Sequence, residues 1–181
     1  MKKHIVRLTG EMASGKSTAA RHLIEKYNAT SHRFSTSMRD VLDRLYIEQT
    51  RKNLGDLSTV MRSTFGEDIF AKIIFEDVSK DESEYIVVDG IRRLEDIRYL
   101  RNLPEFKLIY VKAGIEERYG RITNRDENAD DKGKSFEQFQ KEQLKEAETQ
   151  IKSLEEKAEV GTENDGTLEE LFAEVDRVME S

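Results

Sequence analysis

The sequence contains no cysteine. Disulfides, thiolate zinc sites, iron–sulfur ligation and cysteine nucleophiles are therefore excluded. Its three histidines, His4, His22 and His32, lie far apart and have no metal-ligand spacing. No apolar run approaches the roughly 20 residues that a membrane helix needs. The opening Met1-Lys2-Lys3-His4 leads into no long apolar stretch and no small-residue cleavage site, so no export signal is read there. These absences predict a soluble, cytoplasmic protein that does not meet a membrane. Positive charge is not in excess either: 30 lysines and arginines face 37 acids, for a net charge of -7. That balance disfavours a broad nucleic-acid surface while leaving room for a small basic pocket. What is present is a chain of 181 residues, 36% apolar, of a size that suits one domain over residues 1–181.

The most informative stretch is Gly10-Glu11-Met12-Ala13-Ser14-Gly15-Lys16-Ser17. It is the full phosphate-loop pattern: Gly, four residues, then Gly-Lys-Ser. Ile5, Val6 and Leu8 before it read as a buried strand. Residues 18–27 after it read as a helix, with Ala19, Ala20, Leu23 and Ile24 on its apolar side. Strand, glycine loop and helix together turn backbone N–H groups toward a bound polyphosphate. Gly10 and Gly15 permit close backbone approach. Lys16 can reach the outer phosphate oxygens, and Ser17 can ligate magnesium.

Further on, strand and helix alternate, which predicts an α/β three-layer sandwich around a mostly parallel five-stranded sheet. Residues 29–33 are a short second strand, and Ser35 or Ser37 caps a helix over 38–49 with Val41, Leu42, Leu45 and Tyr46 inward. Residues 50–54 read as a polar link, with Asp56 or Ser58 capping a helix to Phe65 and Gly66 interrupting it. A further helix covers 67–79. Tyr85-Ile86-Val87-Val88-Asp89 is the clearest strand, apolar on both faces. A helix is expected over 94–103, stopped by Pro104, and then a strand over 106–111. Helices follow over 115–122 and, capped by Ser135, over 136–156. Residues 158–162 form an edge strand, Glu163-Asn164-Asp165-Gly166 a turn, and Thr167 caps the last helix.

Several polar residues are placed for chemistry. Asp89 ends a central strand, where an acid can hold magnesium or its water. Arg39 and Asp40 open a helix, and Arg62 and Arg92 lie further along the same half of the chain. Each arginine is either a surface group or an anchor for an acceptor's anion. Arg118, Arg121 and Arg125 share one helical face. Such a face is either salt-bridged by neighbouring acids or closes over a triphosphate. Asn164-Asp165-Gly166 is either a plain turn or a base contact beside the phosphate loop.

Taken together, these segments resemble the P-loop nucleoside monophosphate kinases, in particular archaeal adenylate-kinase-related and dephospho-coenzyme A kinase-like proteins. The likeness runs through Gly10 to Ser17, Phe34-Ser35-Thr36-Ser37-Met38-Arg39-Asp40, Val87-Val88-Asp89-Gly90-Ile91-Arg92, the three arginines and Asn164-Asp165-Gly166-Thr167-Leu168. It implies a P-loop NTPase fold of the nucleotide kinase type, with acceptor-binding helices over about 35–80 and a short lid over about 118–136. ATP and Mg2+ are the implied cofactors. Gly10, Ala13, Ser14, Gly15, Lys16, Ser17 and Thr18 would hold the donor's phosphates, with Asn164 and Gly166 beside its base. Ser17 and Asp89 would hold the metal. Arg39, Asp40, Arg62 and Arg92 would take the acceptor, and Lys16, Asp89, Arg92, Arg121 and Arg125 would serve transfer. The implied reaction moves the γ-phosphoryl group of ATP to a nucleoside monophosphate or related nucleotide. The alternatives are phosphorylation of a hydroxyl, as in dephospho-coenzyme A kinases, and a nucleotide-dependent regulatory ATPase. The expected assembly is a monomer or homodimer. The guanine signature Asn-Lys-x-Asp is missing, for Asn124-Arg125-Asp126-Glu127 does not match it.

Overall fold

The computed structural model describes residues 3–90, 93–124, 135–144 and 146–181. Five parallel strands form one sheet in the order β2-β3-β1-β4-β5: β1 (His4–Thr9), β2 (Thr30–Arg33), β3 (Tyr85–Asp89), β4 (Phe106–Lys112) and β5 (Val160–Glu163). Every pairing is parallel, so all carboxyl ends open on one edge of the sheet. The chain runs to one side of β1 for β2 and β3 and to the other for β4 and β5. A ligand crevice belongs outside the strand ends at such a reversal.

The side chains of β1 alternate between two cores. Ile5 joins Ile86, Val88, Leu108 and Tyr110 under α4 (Ile69–Lys80), which contributes Phe70, Ile74 and Val78. Val6 and Leu8 face α1 (Lys16–Tyr27) and α8 (Leu168–Met179), through Ala19, Ala20, Leu23, Leu171 and Val175. The sheet is thus covered on both faces, as the uninterrupted apolar runs of β3 and β4 require. Each such side chain contributes about 1.5–3 kcal/mol on burial.

Between β2 and β3 lie α2 (Thr36–Arg44), α3 (Arg51–Phe65) and α4. Two expectations fail here. α2 ends a turn early: Ile47 N–H closes on the carbonyl of Leu42 at 2.9 Å, and Tyr46 takes a left-handed φ of 57°. Leu45 and Tyr46 therefore leave the apolar stripe and stand 58% and 90% exposed. Residues 50–54 are not a link. Thr50 Oγ1 accepts the Asn53 N–H at 3.1 Å and starts α3 there, so neither Asp56 nor Ser58 is the cap. Gly66, at φ 105°, ends α3 as expected.

Two more helices are shorter than their patterns suggested. Residues 94–103 form two 3-10 turns, Glu95–Ile97 and Leu100–Asn102. Within the first of them, the buried Asp96 carboxylate accepts the Arg93 N–H at 3.2 Å. After α5 (Ile115–Asn124), the expected 136–156 helix is broken into α6 (Phe136–Glu142), α7 (Glu146–Ser153) and a 3-10 turn at Glu155–Lys157. Its apolar residues do not share one buried side: Phe139, Ile151 and Leu154 are buried while Leu144 is exposed. Ser135 and Thr167 cap α6 and α8, each in a full capping box, with Gln138 and Glu170. Among the described residues, no helix is long and apolar enough to cross a membrane.

Candidate active site

The loop after β1 has the backbone that its glycines imply. Gly10 and Gly15 sit at φ 149° and 101°. A β-carbon on Gly10 would collide with the carbonyl oxygen of Val111, and one on Gly15 with the side-chain amide of Asn164. Between them Ala13 is held at φ 61°, a left-handed conformation that costs a non-glycine residue about 1–2 kcal/mol. Such strain persists only where the surroundings impose it. The Ser14 N–H donates to the carbonyl of Glu11 at 3.2 Å, and Lys16 Nζ donates to the same oxygen at 3.0 Å. Helix α1 begins at Lys16 with no side-chain cap and no acid in its first turn. Its first N–H groups and its positive dipole end are left for an anion. Ser14 Oγ is buried with no hydrogen-bond partner among the described residues. A tight glycine cradle, an uncapped helix start, a lysine and an exposed Ser17 together fit a magnesium-bound polyphosphate.

Two distant segments brace this loop. Asn164, at the end of β5, donates its side-chain amide to the carbonyl of Ser14 at 2.8 Å. Arg121, on α5, donates to the carbonyl of Asn164 at 2.5 Å and to that of Ser14 at 3.5 Å. The Gly114 N–H donates to Asp165 Oδ1 at 2.7 Å, which holds the ends of β4 and β5 together. Gly166 abuts Glu170, the capping carboxylate of α8. Glu116, Glu117, Gly120 and Asn124 lie with Arg121 along one open surface depression of α5.

On the other side of β1, Asp89 ends β3 at the same edge of the sheet as Gly10 and pairs with Arg33 at 3.4 Å. Arg39 and Asp40 are exposed on α2, and Arg39 donates to Gln49 Oε1 at 2.6 Å. Arg62 is mostly buried. It donates to the carbonyl of Glu67, pairs with Asp96 at 3.2 Å, and lies 5.0 Å from the centre of the Phe70 ring. Arg92 and Arg125 lie outside the described residues.

Several charged groups near the site were not legible as such. Arg7 sits fully buried in the central strand. Burial pushes its guanidinium well below the ordinary arginine value, against the opposing pull of Asp96 and Asp89. The one available signal was a charge interrupting the apolar run from His4 to Thr9. Asp96, inside the expected helix over 94–103, is buried and pairs with Arg62. Arg118 departs most from expectation. It does not share an exposed face with Arg121 but is buried under α6. It donates to the carbonyl of Ala113 at 3.1 Å and to Gln143 Oε1 at 2.6 Å, and it reaches Glu11 at 3.3 Å.

A family model described as an AAA domain matches residues 9–140, a stretch that begins just before the glycine loop. The chain belongs to the AAA domain family. It is also similar to the UPF0200 protein of Staphylothermus marinus, at 30% identity over 95% of this chain and 89% of that one. Among solved structures it resembles TT1252 from Thermus thermophilus, with a TM-score of 0.61, 18% identity and coverage of 99% and 98% of the two chains. It also resembles the shikimate kinase of Bacteroides thetaiotaomicron, with a TM-score of 0.56, 14% identity and coverage of 98% and 97%. At such identities the two structures speak for the fold alone. They agree with the sheet described above: the fold is that of the P-loop NTPase and kinase superfamily.

Proposed function

We propose that the protein is an ATP- and Mg2+-dependent phosphotransferase of the nucleotide kinase type. It would move a phosphoryl group to a nucleoside monophosphate or a related small nucleotide. The observation that carries this reading is the loop of residues 10–17, where a strained Ala13, two tight glycines and an uncapped helix start meet Lys16 and Ser17. Bound MgATP would supply the transferable group and its balancing cation. For the donor, the loop amides of residues 13–18 and Lys16 hold the phosphates, and the surface depression beside Arg121 and the Asn164–Gly166 turn receive the nucleoside. Ser17 and Asp89 hold the metal. For the acceptor, Arg39 and Arg92 take the anionic end, because a guanidinium fork suits phosphate oxygens. Arg62, held against Asp96, would meet the acceptor only through donors left over from that pairing, and Asp40 orients the acceptor.

Transfer between phosphates needs alignment and charge stabilisation more than a base. Arg121 and Arg125 would provide the charge; most of the lid expected over about 118–136 lies outside the described residues. A hydroxyl acceptor, as in dephospho-coenzyme A kinase chemistry, would instead call on Asp40 or Asp89 as base.

Incubating the protein with MgATP and a panel of phosphorylated acceptors, with product mass as the readout, tests the proposal. A nucleotide heavier by one phosphoryl group supports it. ATP hydrolysis with no acceptor product favours the regulatory ATPase, and absence of nucleotide binding overturns both.

A further inference from the structure

Arg118 has no part in the chemistry proposed above, yet it is among the most heavily bonded side chains near the site. It lies on α5 with only 4% of its surface exposed. Nε donates to its own helix entry at Ala113. Nη1 serves Gln143 Oε1, just past the end of α6, at 2.6 Å and the carbonyl of Met12 at 3.4 Å. Nη2 faces Glu11 Oε1 at 3.3 Å, and the Phe139 ring lies 5.7 Å from the guanidinium carbon. Two of these contacts reach the glycine loop, and two reach α6 or its end.

We infer that Arg118, acting with Glu11, is a positioning residue that fixes the first half of the phosphate loop in its binding shape. The inference rests on the nucleotide reading of that loop. Ala13 is the strained residue, and the carbonyls on both sides of it are held from outside. Arg118 holds that of Met12, while Asn164 and Arg121 hold that of Ser14. The Glu11 carbonyl is the acceptor for both the Ser14 N–H and Lys16 Nζ. Any shift of Glu11 therefore moves the lysine that serves the phosphates.

The Glu11 carboxylate also explains why a buried cation stands here. An acid in an anion-binding loop would repel the ligand. Arg118 at 3.3 Å and Lys152 at 3.6 Å offset it. Arginine suits the task because its planar fork reaches Met12, Glu11 and Gln143 at once, which a lysine cannot. Because Arg118 also binds the end of α6, it joins the loop to the two helices on either side of residues 125–134.

A residue that only stabilised the core would lower the melting temperature and leave the ligand affinity of folded protein unchanged. The test is calorimetric titration with MgATP of Arg118→Lys, Glu11→Gln and the double variant, at a temperature where circular dichroism shows each folded. Arg118→Lys is expected to weaken binding about tenfold or more, as loss of buried hydrogen bonds does, and Glu11→Gln to weaken it less, because relief of the acid's repulsion partly offsets the lost ion pair. The double variant should lose no more than the weaker single variant, since the pair acts as a unit. Adding Ala13→Gly to Arg118→Lys should recover part of the affinity, because glycine reaches φ 61° without the steric cost that Ala13 carries. Parent-like affinity in both single variants, multiplicative losses in the double, or no recovery with glycine would overturn the inference. If Arg118→Lys does not fold, Glu11→Gln with and without Ala13→Gly decides the matter by the same criteria. A parent protein that takes up no MgATP defeats the nucleotide reading itself, and this inference with it.

Discussion

The side-chain amide of Asn164 donates to the carbonyl of Ser14 at 2.8 Å, across 150 residues of chain. Both groups are buried, and the bond ties the end of the outermost strand β5 to the glycine loop beyond β1. Asn164→Ala leaves the Ser14 carbonyl with only the 3.5 Å contact from Arg121. The expected cost is about 1–3 kcal/mol in stability. A matching loss of MgATP affinity is expected, because the loop is no longer held from that side. Urea denaturation and calorimetry measure the two effects, and an unchanged affinity would show that the loop keeps its shape without the amide.

Gly15→Ala meets the same amide from the other direction. A β-carbon there runs into Asn164 Nδ2, and the backbone sits at φ 101°. Crowding and strain act together, so the variant should lose about 1–3 kcal/mol. Its thermal midpoint should fall further than that of Gly55→Ala, since Gly55 lies within α3 and has open space around it.

Lys16→Ala is expected to abolish phosphoryl transfer while the fold persists. Lys16 is half-buried and makes its loop contact through a flexible amine rather than through core packing. Circular dichroism should be superimposable on that of the parent, with turnover lost. Equal turnover in the two proteins would defeat the assignment of the loop.

Asp96 is the acid on which the buried positive charge of the acceptor side depends. It is 3% exposed, pairs with Arg62 at 3.2 Å, and its charge supports Arg7. Removing one partner of a buried pair leaves the other uncompensated, so Asp96→Ala should cost about 3–5 kcal/mol. Asp96→Asn keeps the side chain's volume and one of the two accepting oxygens, and should cost less. A reversed order would mean that a retained acceptor oxygen does not offset the misplaced amide, and urea midpoints compare the two directly.

Asp81 supplies a pH dependence. Burial alone would raise its pKa, but the hydrogen bonds from Ser83 and His32 outweigh that and lower it to about 2. A carboxylate with a depressed folded-state pKa contributes stability above its unfolded value and loses it as pH falls through the folded value. The parent should therefore exceed Asp81→Asn by about 1–2 kcal/mol near neutrality. The gap should begin to close below the ordinary carboxylate range and be gone near pH 2. Denaturation at a series of pH values checks this, and a gap that does not change with pH would remove the ionic explanation.

How much of this was legible in advance differs from residue to residue. The glycine loop, the strand before it and the helix after it could be read directly, as could the capping residues Ser135 and Thr167. The apolar run from Tyr85 to Val88 named a central strand, and its closing Asp89 lies at the ligand edge of the sheet. The arginine face of α5 could be read, but not its depth: Arg118 and Arg121 both reach the glycine loop, at Met12 and Ser14, yet Arg118 is buried against α6.

The sequence by itself determined most local elements, the parallel class of the sheet and the glycine loop between β1 and α1. Each of these depends on residues adjacent in the chain: glycines that permit a conformation, caps that satisfy nearby N–H groups, and apolar residues at a strand or helix period. Only the tertiary structure decided where the buried charges stand, that residues 94–103 wind as 3-10 turns, and that the long helix after Ser135 breaks. Those outcomes depend on partners brought from distant segments: Asp96 for Arg62, Gln143 and Glu11 for Arg118, and Asn164 for Ser14. A charged side chain leaves water only when such a partner offsets its desolvation, and no local pattern announces which partner will arrive.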